Sequence, residues 1–77
     1  MNKELIYELF EGTSKYRQPK KESLSELRDC YEHYSLEYIS APNFSKELNS
    51  MGFKSNKNGD FKLRMKKEVR KNYYGLG

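Results

Sequence analysis

The chain has 77 residues with 15 Lys or Arg and 11 Asp or Glu, a formal net charge of +4, and eleven aromatic residues (Tyr 7, Phe 4). One domain is all this length allows, burying only about 60–65% of the surface its unfolded form exposes, and the regular recurrence of aromatic and aliphatic residues argues against intrinsic disorder. A lone Cys30 excludes an internal disulfide, and with the lone His33 it falls short of a metal-ligand set. No stretch approaches the roughly 18–20 apolar residues of a membrane span, and Glu4, Glu8 and Glu11 depart from the layout of a signal peptide. The expectation is a small soluble domain of a reducing compartment, the cytoplasm, with no cofactor, metal or membrane partner.

In chain order, Leu5, Ile6, Leu9 and Phe10 share one face of a helix from Asn2 to Glu11, with Asn2 as N-cap and Gly12 as stop, so residues 1–12 form the first element. Residues 13–22 repeat at neither helix nor strand period and read as a loop, with an extended piece around Tyr16-Arg17. Leu24, Leu27, Tyr31, Tyr34 and Tyr38, spaced three, four, three, four, predict a second helix over 23–38. Ser23 with Glu26 fits a capping box at its start. Ala41-Pro42-Asn43 breaks the pattern. Phe44, Leu48 and Met51 then predict a short third helix over 42–51 that ends at Gly52 and exposes Asn43, Ser45, Lys46, Asn49 and Ser50. The helices are expected to bury Leu24, Leu27, Tyr31 and Tyr34 against Leu5, Leu9, Phe10 and Leu48.

From Phe53 the chain reads as extended, and Asn58-Gly59 is the preferred pair for a two-residue hairpin turn. After the turn, Phe61, Leu63 and Met65 alternate with Lys62, Arg64 and Lys66, which predicts a strand with one apolar and one cationic face. A rival reading makes Phe61 to Lys71 a helix capped by Asp60, because Phe61, Met65 and Val69 sit four apart. The strand is preferred for its alternation and for the β-prone Tyr73-Tyr74 beyond it, with residues 66–71 as a second reversal and 53–76 as one β element. The fold class is then α+β: a winged helix-turn-helix of three helices with a basic two- or three-stranded β-hairpin wing.

Charge is divided unevenly along this plan. Residues 51–77 carry eight basic and two acidic side chains, a balance of 8 − 2 = +6, whereas residues 1–50 balance at 7 − 9 = −2. A cationic end on a small domain points to a polyanionic partner. In the expected architecture the third helix can enter a DNA groove while the hairpin lies along phosphates. Asn43, Ser45, Lys46 and Asn49 are therefore candidate helix contacts, and Lys54, Lys57, Lys62, Arg64, Lys66, Lys67, Arg70 and Lys71 candidate phosphate contacts. The plain alternatives are a solvated helix surface and an edge strand guarded by charge against aggregation. Tyr73, and Tyr74 beside it, have the rings to stack on unpaired bases or to pack the last strand onto the helices. Cys30 beside Tyr31 reads as a small core residue and His33 as a surface one. No glycine-rich phosphate loop, nucleophile–base set or metal motif is visible, so the chain reads as non-enzymatic, without a small-molecule substrate.

Four segments carry a resemblance: Glu26-Leu27-Arg28-Asp29-Cys30-Tyr31-Glu32-His33-Tyr34, Phe44-Ser45-Lys46-Glu47-Leu48, Met51-Gly52-Phe53-Lys54 and Tyr73-Tyr74-Gly75-Leu76. In order and spacing they resemble the C-terminal winged-helix domain of the poxvirus-type primase-helicases of phages, plasmids and other mobile elements, over about two-thirds of the chain. The resemblance implies a DNA-contacting module of replication machinery, DNA rather than RNA being its nucleic acid and replication proteins its possible partners. The ATPase and primase portions of that family are missing, and the basic run is longer than the family's wing. Two other readings stand beside it: a small transcriptional regulator or excisionase-like recombination factor, and an adaptor that docks on an acidic protein surface. About six neutralised phosphates would give a log–log salt slope near −5 on duplex DNA, which an adaptor would not show.

Overall fold

The computed structural model describes residues 1–14, 16 and 23–75. Within them four helices and a two-stranded antiparallel sheet follow in the order α1 (Lys3–Leu9), β1 (Phe10–Gly12), α2 (Leu24–Ser35), α3 (Ala41–Ser50), β2 (Leu63–Met65) and α4 (Lys67–Tyr74). Most of the expected 13–22 loop, including Arg17, and Leu76 of the closing segment lie outside the described residues.

Asn2 caps α1 through its side-chain oxygen, which accepts from the Leu5 N–H. The helix stops at Leu9, not at the expected Gly12, because Phe10 turns extended and joins β1. Sheet pairing explains the early stop: Phe10 faces Met65, Glu11 faces Arg64 and Gly12 faces Leu63, and the pairing runs on through Lys66 N–H to Leu9 O and Thr13 N–H to Lys62 O.

At the start of α2 both halves of the capping box are formed, Ser23 Oγ accepting from the Glu26 N–H and the Glu26 carboxylate from the Ser23 N–H. Ser23→Ala is expected to cost about 0.5–2 kcal/mol, read as a lower urea midpoint. The helix ends at Ser35, three residues before the expected end. Leu36 takes the left-handed conformation at φ 60°, Ser35 Oγ accepts from the Glu37 N–H, and Glu32 takes the Ile39 N–H at 2.8 Å. Side chains thus satisfy backbone groups that another helical turn would have used. Tyr38 is in consequence outside the helix and 82% exposed, and Tyr34 is 37% exposed, so neither joins the core.

Ser40 caps α3, with Pro42 in its first turn as anticipated. Its end is a Schellman motif: Phe53 N–H bonds Leu48 O, Gly52 N–H bonds Asn49 O, and Gly52 supplies the positive φ of 97°. The reversal that follows is longer than the expected two-residue turn. Only Gly59 has positive φ, Asn56 and Asp60 close a three-residue loop, and the Asn56 side-chain oxygen accepts from both the Asn58 and Asp60 N–H groups. A single bridge, Ser55 to Phe61, is its only ladder contact among the described residues.

The alternation at 61–66 is real, with Phe61, Leu63 and Met65 buried and Lys62 exposed. Beyond it the β reading fails. Residues 67–74 are the helix α4, so the expected second reversal and last strand are both replaced, and the rival helix from Phe61 starts six residues too early. Lys67-Glu68-Val69-Arg70-Lys71 contains good helix formers, and Val69 and Tyr73, four apart, pack against the core.

That core joins α1, α2, α3 and the sheet. Ile6, Leu27, Cys30, Phe44, Leu48 and Met65 have no exposed surface, and Phe44 contacts the rings of Tyr31 and Phe10. Leu9 and Phe10 are buried as expected, whereas Leu5 and Leu24 only flank the cluster.

Candidate nucleic-acid interface

Two polar faces emerge from this frame. On α3, Asn43, Lys46 and Asn49 are exposed and, at about 100° per residue, fall on one arc of the helix. Ser45 is half-buried at the margin of the core side. Asn43 and Lys46 line a surface cleft of about 400 Å³ with Tyr38, Ile39, Ser40 and Glu47, so its lining carries one cationic side chain and one carboxylate.

The second face is built by β2 and α4. Arg64 points away from the core and bonds Glu11 across the strands, Nε to Oε2 at 2.8 Å, in the register that places those two residues opposite each other. Glu11, Arg64, Lys67 and Arg70 line one cleft. Immediately beside it, Lys67, Arg70, Lys71 and Tyr74 line a second. These four occupy positions i, i+3, i+4 and i+7 of α4, one stripe of the helix, while Val69 and Tyr73 fill the opposite, core-facing side. Four cations, Arg64, Lys67, Arg70 and Lys71, are thereby brought onto one surface with Glu11 as the acid placed among them.

The α3 and α4 faces do not merge. Arg28 donates to Ile39 O just before α3, while Glu26 accepts the Tyr74 hydroxyl at 2.8 Å at the end of α4. Glu26 and Arg28, two positions apart, diverge by about 160° around a helix, so α3 and α4 lie against opposite flanks of α2. The remaining sequence candidates are dispersed. Lys54 and Lys57 are exposed on the reversal after α3, Lys62 sits with its ammonium 4.8 Å from the centre of the Tyr16 ring, and Lys66 is a half-buried helix N-cap.

Tyr73 belongs to packing. It is partly buried against the core, its ring 5.4 Å from that of His33, and burial, with Asp29, Cys30, Glu26 and Tyr34 nearby, raises its phenol pKa. Its neighbour Tyr74, 41% exposed, is the ring that faces the cations. Sequence reasoning could have found this stripe from the spacing of 67, 70, 71 and 74, but the strand reading hid it. Cys30 is wholly buried, and burial pushes its thiol up to about 12, far from a reactive thiolate.

Among the described residues no group of three or more His, Cys, Asp or Glu is placed to hold a metal ion, and no helix is long and apolar enough to cross a membrane. No family model, curated protein or solved structure matches the chain.

Proposed function

We propose that the chain is a non-enzymatic nucleic-acid-binding module of winged-helix type, serving DNA replication of a phage or mobile element in the cytoplasm. The observation that carries this reading is the collection of Arg64, Lys67, Arg70 and Lys71 on one surface, since four cations around two adjoining clefts far exceed what the guarding of a three-residue strand needs. The element order lends support: α1, β1, α2 and α3, then a reversal leading into a strand that pairs with β1, is the order of a winged helix. In this reading the 53–61 reversal is the wing and α4 an addition to it.

The two faces have different chemistry. Lysine and arginine release counterions from any phosphate chain, whereas asparagine is able to hydrogen-bond base edges. The α3 face therefore supplies what sequence preference the module has. Asn49→Ala is expected to reduce discrimination between a selected duplex and random duplex by about 1–3 kcal/mol and to leave random-duplex affinity unchanged, which competition binding measures.

The reading as a whole is tested by titrating labelled duplex and single-stranded DNA of equal length at two salt concentrations. Three to four neutralised phosphates, Arg64 being already bonded to Glu11, predict a log–log slope of about −3 on duplex and about −2.5 on single strands. Absence of salt-dependent binding to either would overturn it in favour of a protein-docking adaptor.

A further inference from the structure

The proposed nucleic-acid reading leaves open which form of the polymer the α4 surface takes. We infer that the stripe Lys67, Arg70, Lys71 and Tyr74 is a single-strand site, in which the three cations follow the phosphates and the Tyr74 ring stacks on an unpaired base. The inference rests on the nucleic-acid reading and adds strand selectivity to it.

Three observations lead there. First, the stripe is continuous: residues spaced i, i+3, i+4 and i+7 on one helix line a single cleft of about 450 Å³. From Lys67 to Tyr74 a helix rises about 10 Å, a length of two or so nucleotides of an extended strand. Second, the aromatic member stands apart from the core. Tyr73 is turned inward, whereas Tyr74 is 41% exposed and is the one ring lining the cleft. An exposed tyrosine beside aliphatic lysine stems offers a flat apolar surface that a duplex, with its bases already stacked, cannot use.

Third, the ring is held in place. Its hydroxyl donates to Glu26 Oε2 at 2.8 Å, and the Tyr73 ring lies 5.2 Å away at 78°. The stripe has a direction, with cations at its Lys67–Lys71 end and the ring at its Tyr74 end, so phosphates are met at the first and a base at the second. Cations without an aromatic partner would bind every phosphate chain alike; the added ring is what turns general attraction into preference for unpaired bases.

The test compares labelled (dT)20 with a 20-base-pair duplex by fluorescence anisotropy at one low salt concentration, using the wild-type chain, Tyr74→Ala and Tyr74→Phe. Wild type is expected to favour (dT)20. Tyr74→Ala should weaken (dT)20 binding by about tenfold or more and leave duplex binding within about twofold, as loss of one stacked base predicts. Tyr74→Phe keeps the ring, loses the bond to Glu26, and should retain most of the single-strand affinity. Thermal melting of each variant separates unfolding from loss of stacking. Equal weakening of both nucleic acids by a folded Tyr74→Ala, or no effect on (dT)20, would overturn the single-strand site and leave the general reading intact. Binding to neither nucleic acid by wild type would overturn both.

Discussion

Phe44→Ala is expected to cost about 3–5 kcal/mol, the usual range for removing a fully buried aromatic ring. The whole stability of a domain this size is about 4–12 kcal/mol, so the variant should lose a large share of it. The effect is large because of where the ring sits. Phe44 has no exposed surface, and its centroid lies 5.8 Å from that of Tyr31 on α2 and 6.5 Å from that of Phe10 on β1, the latter edge-on at 77°. One side chain of α3 therefore ties the second helix to the sheet. Tyr31 in turn accepts the Asn2 N–H through its hydroxyl at 2.8 Å, so the same cluster reaches the start of α1. Chemical denaturation measures the loss directly. Tyr38→Ala is the control, because that ring is 82% exposed and its removal should change stability by no more than about 0.5 kcal/mol. Equal unfolding midpoints for wild type and Phe44→Ala would show that α3 does not depend on this contact.

Those core contacts were largely legible in the sequence, since a stripe at helical spacing turns one face of a helix toward the core. Leu27, Tyr31, Phe44 and Leu48 needed nothing more, and the capping box at Ser23 and Glu26 was readable because its chemistry is confined to four consecutive residues. The errors lie where a residue's fate depends on a distant partner. The end of α2 depends on Glu32 reaching forward to Ile39 and on Leu36 adopting a conformation that leucine seldom takes. The end of α1 depends on a strand 53 positions away, through Glu11 and Arg64. Residues 61–74 satisfy two periods at once, and the alternation that holds through Lys66 gives way to helical spacing at Lys67. Val69 and Tyr73, at helical spacing, and the helix-forming residues between them outweighed the β-propensity of two adjacent tyrosines. The charge excess was visible in composition alone, but its division was not: which cations share a surface follows from α4 being a helix, and a strand would have placed Lys67 and Lys71 beside different neighbours.

That placement leads to the strongest functional expectation. The triple variant Lys67→Gln, Arg70→Gln, Lys71→Gln should lose about 10²–10³-fold in nucleic-acid affinity near 50 mM salt and flatten the log–log salt slope by about 2–3, whatever the sequence of the probe. Glutamine keeps helix propensity close to that of lysine and arginine, and Lys67 and Lys71 are exposed, so the fold should survive, as circular dichroism can check. Arg64→Gln alone should do much less. That change removes one charge in place of three, from a guanidinium already bonded to Glu11. Lys54→Gln with Lys57→Gln forms the second comparison. These two lysines sit on the reversal after α3 and share neither of the α4 clefts, so a loss confined to the triple variant assigns the attraction to the α4 stripe, while an equal loss in both spreads it over the whole cationic end. Should the triple variant bind as tightly as wild type at low salt, the surface gathered by β2 and α4 is not a phosphate-binding surface, and a protein partner becomes the better account of its charge.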